Sequence, residues 1–321
     1  MRLFLGLDPG GSKVDAVLMD ESGVVRGWGV GGPANYNSAE VVAQSYEDAL
    51  SGALGPSPPS ELWVGAVFMS QRVPEWFQAR GIVAHFHHAN EVEAGFSAAL
   101  EDWGVLVLAG TGSFVHARTR DGQDLHLGGF GPVLGDEGSA YDVGLRGLRA
   151  ALRSAWPGAR PTALARAIPA ALGRESAWEL VWPFQMHQLG RRDVASLAPT
   201  VDEQARAGDA VALAVLQEAA VGLAEIIGVA LDAVGLRGAG CPLIGTGGLA
   251  QGSPLYWSML AAEALRIDAT LRPLVPPVRP AVGAAFCAMR AAGALVTPEL
   301  RDRVVETQRA FSRAVVAAPT A

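Results

Sequence analysis

Short apolar runs alternate with segments of helical period along the first hundred residues, and glycine-rich turns separate them. Buried strands are predicted at residues 3–7, 14–19, 24–30, 62–69 and 82–86. Helices are predicted after Ser38, from Pro74 and after Asn90, since each of these residues favours a helix start before an apolar repeat. The resulting order, β-β-β-α-β-α-β-α, predicts one α/β domain.

The second half repeats the opening order of strand, glycine turn and strand, and then becomes mostly helical. Strands are predicted at 105–109 and 114–119, with a hairpin turn at Asp121-Gly122, and again from 243 and at 271–275. Helical periodicity predicts helices at residues 138–153, 162–172, 176–187, 193–207, 209–234, 255–265, 281–292 and 298–316. We therefore divide the chain into an N-terminal α/β domain (1–104), a C-terminal α/β domain (105–297) and a C-terminal helix (298–321) that could pack back on the first domain.

Composition narrows the classes of partner. The 321 residues suffice for two domains, and a formal net charge of −7 without a basic face argues against nucleic acid. The two cysteines, Cys241 and Cys287, stand in apolar contexts that favour reduced packing residues over a disulfide. No signal-peptide layout is evident, and no run approaches the ~18 apolar residues that span a membrane. We expect a soluble cytoplasmic protein whose main partner is not a nucleic acid.

Three glycine-rich turns carry the candidate chemistry. Loop 1 is residues 8–13 (Asp-Pro-Gly-Gly-Ser-Lys), loop 2 is residues 110–113 (Gly-Thr-Gly-Ser), and loop 3 is residues 128–138. Glycines at strand ends let backbone amides approach a ligand and form a concavity for anions. Loop 3 adds Asp136 and Glu137, which favour a cation or a polar substrate. The pattern predicts a phosphate site beside a second ligand site, although loop 1 lacks the spacing of a Walker loop.

These turns resemble those of a known superfamily. Loop 1, Ala109 with loop 2, and Gly247-Gly248 occur in the order of the two phosphate loops and the adenosine loop of the actin/hexokinase superfamily of ATPases. Within it, Gly129-Phe130-Gly131 followed by residues 135–141 (Gly-Asp-Glu-Gly-Ser-Ala-Tyr) is similar to the N-acetylglucosamine kinase branch of the BadF/BadG/BcrA/BcrD ATPase family. Residues 32–35 and 280–285 fit that branch as well.

The resemblance implies an α/β fold with two ribonuclease-H-like domains that flank a nucleotide cleft, with ATP and Mg²⁺ as cofactors and a homodimer as the assembly. It implies that Asp8 holds Mg²⁺, through water. The implied phosphate-binding residues are Gly10, Gly11, Ser12, Lys13, Gly110, Thr111, Gly112 and Ser113. Those implied for adenosine are Gly247 and Gly248. Those implied for the sugar are Asn35, Gly129, Phe130 and Asp136.

A carboxylate must accept the proton of the attacking hydroxyl in such a kinase. Relatives carry a catalytic Asp where this chain reads Asn90-Glu91, with Glu93 close behind. Glu91 is our predicted base, together with Asp136 and Asp8 in the catalytic set, and Glu93 stays an alternative. Each of these residues also has a purely structural interpretation. Glu91 could be an acidic residue in the first turn of a helix, Asp136 a helix cap, Phe130 a core residue and Asn35 the end of a loop.

The predicted function is ATP-dependent transfer of the γ-phosphate to the primary hydroxyl of an amino sugar, N-acetylglucosamine or glucosamine. One alternative is an ATPase activator of an acyl-CoA dehydratase or reductase. Such activators carry an iron–sulfur ligand just before loop 2, where this chain has Val107 and Leu108, and cluster ligation needs thiolates. The other alternative is a non-catalytic protein that binds nucleotide or sugar.

Overall fold

The computed structural model describes residues 1–34, 38–68 and 70–316, which form two compact units. The first unit is Met1–Asp102 together with Pro276–Ala321, and the second unit is Trp103–Val275. The strands are β1 (Leu3–Pro9), β2 (Val14–Asp20), β3 (Val25–Gly31), β4 (Glu61–Val67), β5 (Val83–Ala89), β6 (Gly104–Ala109), β7 (Ser113–Arg118), β8 (Asp124–Gly128), β9 (Pro242–Thr246) and β10 (Arg272–Leu274). Each unit is built on one five-stranded sheet.

The helices make up most of the remaining chain. They are α1 (Ala39–Leu54), α2 (Arg72–Ala79), α3 (Glu91–Ala99), α4 (Ala140–Arg153), α5 (Leu164–Ala171), α6 (Val181–Gln185), α7 (Arg191–Ala195), α8 (Ala198–Arg206), α9 (Ala210–Ala233), α10 (Gly248–Gly252), α11 (Pro254–Ile267), α12 (Pro280–Ala291) and α13 (Pro298–Val316). A short 3-10 helix, Ala177–Leu180, precedes α6. The predicted α/β class is confirmed by these elements.

The sheet of the first unit, in the order β3-β2-β1-β4-β5, is covered by helices on both faces. Side chains alternate along a strand, so Leu5 and Leu7 of β1 pack with Leu50 of α1 on one face. Phe4 and Val17 point to the other face, where they pack against α12. Burial on both faces explains why these strands read as nearly continuous apolar runs in the sequence.

Helix α1 lies unusually close to strand β3. A Cβ atom added at Gly27, Gly29 or Gly31 would lie 1.8–1.9 Å from a main-chain oxygen of α1. No side chain fits there. Glycine at every second residue of β3 therefore allows the backbone of α1 to pack directly on the strand. Trp28 and Val30, between these glycines, are half-buried on the opposite face.

The two compact units divide the chain differently from our predicted domains, which placed residues 276–297 with the second domain. Helix α12 belongs to the first unit, because Gly6 of β1 and Gly65 of β4 let it approach their strands. A Cβ at Gly6 would lie 1.8 Å from the Ala281 oxygen, and one at Gly65 would lie 1.9 Å from the Ala284 oxygen. Helix α13 is also part of this unit, and the Val25 N–H donates to the Thr307 hydroxyl at 3.0 Å.

The second unit has the sheet order β10-β9-β6-β7-β8, with β7 and β8 forming the hairpin predicted at Asp121-Gly122. Val105 and Val107 of β6 lie in an apolar core that helices α4, α5, α8, α9 and α11 share. The single helix predicted over residues 193–207 is two helices in the structure. The segment 193–207 is divided into α7 and α8, since Pro199 stands in the first turn of α8 and cannot continue a preceding helix.

Helix α9 is long and apolar enough to cross a membrane by length and composition alone. The helix contains no unbroken apolar run of ~18 residues, since polar residues such as Gln217 and Glu225 interrupt it. Leu216, Leu223 and Leu231 of α9 are completely buried in the core of the second unit. A core helix of a globular unit passes the same test, so this helix is accounted for by packing.

Candidate functional site

Loop 1 is a tight connection between the antiparallel strands β1 and β2, whose register pairs Pro9 with Val14. Inside the loop the Gly10 N–H donates to the Lys13 oxygen at 2.7 Å, and the Gly10 oxygen accepts from the Ala34 N–H at 3.1 Å. The Gly10 amide is therefore used within the turn. Among the described residues, the Gly11 amide has no hydrogen-bond partner, and a Cβ added there would meet nothing within 4 Å. Gly11 leaves a backbone donor and open space for a ligand.

The side chain of Lys13 is committed to a buried carboxylate behind the loop. Asp15 is 2 % exposed and forms an ion pair with Lys13. It also accepts from the Trp28 indole N–H at 3.0 Å and from Arg279 Nη1 at 3.1 Å. Two cations and an indole compensate this carboxylate, so the network holds the base of loop 1 in one arrangement.

Asp8, at the end of β1, is in a different electrostatic situation. Burial, followed by the negative charges of Asp15 and Glu91, raises the pKa of Asp8 from its ordinary value of 3.8 to about 7, against a smaller lowering effect of Lys13. A carboxylate that is costly to ionise gains most when a cation binds to it. The donor chemistry of this position therefore fits a hard divalent ion such as Mg²⁺, which prefers carboxylate oxygens and water.

The two candidate bases, Glu91 and Glu93, follow strand β5, and their contacts differ. Asn90 caps α3, accepting from the Glu93 N–H at 2.8 Å, and Glu93 Oε2 accepts from the Asn90 N–H at 3.2 Å. This reciprocal pair is a capping box, which gives the Glu93 carboxylate a structural role. Glu91 takes no part in it, and burial raises the pKa of the Glu91 carboxyl. Glu91, whose charge acts on Asp8, is the acid left available for proton transfer.

Loop 2 follows β6 and is tied to loop 3 by several hydrogen bonds within the second unit. The Gly110 N–H donates to the Gly112 oxygen at 2.9 Å, and the Ser113 hydroxyl donates to the Glu137 oxygen at 2.7 Å. The Gly129 N–H in turn donates to the Ser113 oxygen at 3.0 Å. The predicted phosphate loop and the predicted sugar loop thus form one structure. Among the described residues, the Gly112 amide has no hydrogen-bond partner.

Asp136 lies at the centre of that structure. It is 1 % exposed and has a φ of +62°, a left-handed conformation that is uncommon for residues other than glycine. Its Oδ1 accepts from the Ser113 N–H at 3.2 Å, and its Oδ2 accepts from Arg191 Nη2 at 2.6 Å. Asp136 does not cap α4, because Ser139 does so by accepting from the Asp142 N–H. The helix-cap interpretation of Asp136 is therefore wrong.

The remaining predicted sugar residues have different surroundings. Phe130 is 71 % exposed, which rules out a core position, and Val133 and Leu134 in the same loop are also exposed. Gly129 lies beside His126 and Phe114, and its φ of +74° suits glycine. Asn35 lies outside the described residues.

Gly247 and Gly248, predicted to contact adenosine, lie directly beside loop 2. A Cβ at Gly247 would lie 2.7 Å from the Ala109 oxygen and 2.9 Å from the Gly110 nitrogen. The pairing of β6 with β9 in parallel register brings these two turns together, since parallel strands end at the same edge of a sheet. Gly248 has open space around its Cα.

Three residues that support these loops were not found from the sequence. Arg191 binds Asp136, Arg279 binds Asp15, and the Tyr256 hydroxyl donates to the Gly138 oxygen at 2.6 Å. Tyr256 is completely buried, and burial raises the pKa of its hydroxyl, so it is a neutral donor that fixes the end of loop 3. Within residues 1–34, 38–68 and 70–316, no three His, Cys, Asp or Glu side chains are grouped to hold a metal ion by themselves.

The chain is similar in sequence to one family of ATPases and to two sugar kinases. The sequence model of the BadF/BadG/BcrA/BcrD ATPase family matches residues 5–288. An N-acetylmuramic acid/N-acetylglucosamine kinase of Clostridium acetobutylicum is 28% identical over 233 residues, which are 68% of this chain and 76% of that protein. An N-acetyl-D-glucosamine kinase of Dictyostelium discoideum is 23% identical over 312 residues, which are 90% of this chain and 98% of that protein.

Solved structures show the same fold. A candidate N-acetylglucosamine kinase from Chromobacterium violaceum has a TM-score of 0.65 at 23% identity and covers 90% of this chain and 99% of its own. A ROK family glucokinase from Streptomyces griseus, solved with glucose and AMPPNP, has a TM-score of 0.57 at 18% identity and covers 91% and 99%. The predicted two-domain α/β fold of the actin-like ATPases is confirmed.

Proposed function

Because this chain belongs to the BadF/BadG/BcrA/BcrD ATPase family, whose membership implies the use of ATP, we propose that it is a kinase that phosphorylates an amino sugar. The product would carry the γ-phosphate on its primary hydroxyl. The observation that carries this proposal is the placement of the Asp136 carboxylate on the Ser113 amide of loop 2. Asp136, a buried carboxylate that could accept hydrogen bonds from sugar hydroxyls, is thereby held against loop 2, the proposed phosphate loop.

The Gly11 and Gly112 amides, which have no hydrogen-bond partner among the described residues, would each donate to phosphate oxygens. Gly10, Gly110 and Ser113 have their amide hydrogens engaged inside the loops, so they would shape the phosphate site rather than donate to the ligand. Gly247 and Gly248 would lie against adenosine, where the lack of a side chain lets a flat ring approach the backbone.

Asp8 would hold Mg²⁺, which neutralises charge on the phosphates when it is bound. Glu91 would accept the proton of the sugar hydroxyl as that oxygen attacks the γ-phosphorus. Its raised pKa suits this role, because a base with a pKa closer to the working pH takes a proton more readily. Asp136, together with Phe130 and Asn35, would orient the sugar.

The names of the relatives favour an N-acetylated amino sugar as the acceptor. Both curated relatives phosphorylate N-acetylglucosamine by name, and the bacterial one also acts on N-acetylmuramic acid. We propose N-acetylglucosamine as the substrate of this chain. The activator function is not favoured, since burial raises the pKa of the Cys241 thiol to about 11 and also raises that of Cys287, which opposes the thiolate that a cluster requires. The homodimer and the cytoplasmic location stay predictions.

The test is release of ADP from MgATP with N-acetylglucosamine, N-acetylmuramic acid, glucosamine, N-acetylmannosamine, glucose or no sugar. Turnover that depends on N-acetylglucosamine and falls about 100-fold or more in Glu91→Gln would support both the kinase and its base. Glu93→Gln is the matched control, and it should change stability more than rate. Turnover that survives Glu91→Gln would overturn the base alone, and ATP binding without turnover of any sugar would overturn the kinase.

A further inference from the structure

The second unit places a guanidinium group beside loop 2, the loop proposed to bind phosphate. Arg191 Nη2 is so close to loop 2 that a Cβ added at Gly112 would lie 2.2 Å from it. The same added atom would lie 2.7 Å from Asp136 Oδ1. Gly112, Asp136 and Arg191 therefore form one cluster, in which a side chain at residue 112 would displace the ends of the two charged side chains.

Only part of the Arg191 guanidinium is used by hydrogen bonds within this cluster. Its Nη2 donates to Asp136 Oδ2, and its Nε is buried with no hydrogen-bond partner among the described residues. Its Nη1 likewise has no partner in the described part of the chain, and the side chain is 30% exposed. Leaving a buried N–H of a charged group without an acceptor is costly, so an arrangement of this kind indicates an acceptor that arrives with a ligand.

The position of Arg191 is set by rigid packing rather than by a flexible loop. It is the first residue of α7, whose Gly190 N-cap N–H donates to the Asp193 carboxylate at 2.7 Å. Val194 of α7 rests on α4, because Gly144 has no side chain and a Cβ there would lie 1.9 Å from the Val194 oxygen. The guanidinium is thus presented to loop 2 by a helix pair, which limits the motion that a long side chain otherwise has.

Building on the proposed function, we propose that Arg191 is a catalytic residue that donates hydrogen bonds to the phosphoryl group during its transfer. The planar guanidinium matches phosphate oxygens, and the neighbouring unpartnered Gly112 amide adds a second donor of the same polarity. Asp136 holds one end of the guanidinium and leaves the other N–H groups for the ligand.

The chemistry balances without any change in Arg191. The sugar oxygen forms a bond to the γ-phosphorus as the bond from that phosphorus to the β-γ bridging oxygen breaks. The electron pair of the broken bond stays on ADP, and the hydroxyl proton passes to the carboxylate base. Arg191 stays protonated throughout and lowers the barrier by stabilising charge on the transferred group, as charge stabilisation does in other phosphoryl transfers.

The test compares Arg191→Met, Arg191→Lys and the control Arg192→Met, which removes the neighbouring cation from the same helix. Removing one stabilising donor of this type lowers kcat by about 100- to 1,000-fold, and we expect a loss of that size in Arg191→Met with partial recovery in Arg191→Lys. Arg192→Met should stay within about twofold of the wild type, since Arg192 lies outside the cluster of Gly112, Asp136 and Arg191. Thermal unfolding of each variant identifies those that fail to fold, and Arg191→Lys keeps the charge that Asp136 requires.

Calorimetric binding supplies a readout that does not depend on turnover. Arg191→Met should bind ADP as the wild type does, yet lose most of the additional affinity that aluminium fluoride gives to ADP in the presence of the sugar. Unchanged affinity for that analogue would overturn the proposal. So would a raised KM for the sugar with an unchanged kcat, since Arg191 would then act only by positioning Asp136. A wild type that phosphorylates no sugar would instead refute the proposed function.

Discussion

Asp8→Asn is expected to stabilise the ligand-free protein at neutral and alkaline pH, while it removes activity. The carboxylate is held at the end of β1 by a rigid sheet, near the charges of Asp15 and Glu91, and its pKa is raised to about 7. At pH 8 the Asp8 carboxyl is ionised in the folded protein although burial and nearby negative charges oppose its ionisation, and this destabilises the folded state. An asparagine of nearly the same size avoids this cost.

The magnitude follows from the linkage of proton binding to folding. The pKa of Asp8 is 3.8 in the unfolded chain and about 7 when folded, so between these values the folded state binds more protons. The free energy of unfolding therefore falls as the pH rises from about 4 to 7. Three units correspond to about 4 kcal/mol, and residual contact of Asp8 with solvent lowers our expectation to about 2–4 kcal/mol.

Scanning calorimetry of wild type and Asp8→Asn at pH 5 and pH 8 measures this difference. The variant should unfold about 5–10 °C higher than the wild type at pH 8, and the gap should shrink at pH 5. Asp102→Asn is the matched control, since Asp102 is exposed at the end of the first unit. A gap that is equal at both pH values, or a variant less stable at pH 8, would refute the electrostatic reasoning.

Three further predictions concern the loops and their supports. Gly112→Ala should lower kcat by about 100-fold or more, because the added methyl group would displace Arg191 and Asp136. Gly252→Ala is the control and should leave the rate unchanged, since an added Cβ there meets nothing within 4 Å. Equal rates for the two variants would contradict the close packing at Gly112. Asn90→Ala should cost about 1 kcal/mol in urea unfolding through loss of the capping box, and an unchanged free energy of unfolding would argue against that cap. The acidic limb of the kcat/KM profile should lie above the ordinary range of glutamate, since burial raises the pKa of Glu91, and a limb near pH 4 would count against this base.

Local signals sufficed for the strands and the turns that follow them, except for β8, which was indicated only by the hairpin turn before it. An apolar run ending in glycines, as at loop 1 and loop 2, is a short-range pattern, and both turns lie at strand ends in the structure. The capping box was not predicted, although Asn90 and Glu93 have the required spacing of three residues. The break between α7 and α8 could have been predicted from Pro199, which we passed over in favour of helical periodicity.

Long-range placement could not be predicted in the same way. Arg191 lies 55 residues after Asp136 in a helical segment, and no local pattern distinguishes it from Arg192. The membership of α12 in the first unit depends on Gly6 and Gly65, which in the sequence are single glycines inside strands. A glycine in a strand signals close approach of another backbone, but it does not say which backbone approaches.

The interleaved division of the chain also affects how the protein is made. The second unit is one continuous stretch, Trp103–Val275, and it is synthesised before the last part of the first unit. The sheet face that carries Phe4 and Val17 is covered by α12 only after α12 has been synthesised, so its apolar surface is exposed until then. Domains form as units during translation, and exposed apolar surface invites aggregation. Truncation before Pro280 should therefore yield a chain that needs a chaperone, whereas the central stretch can fold first.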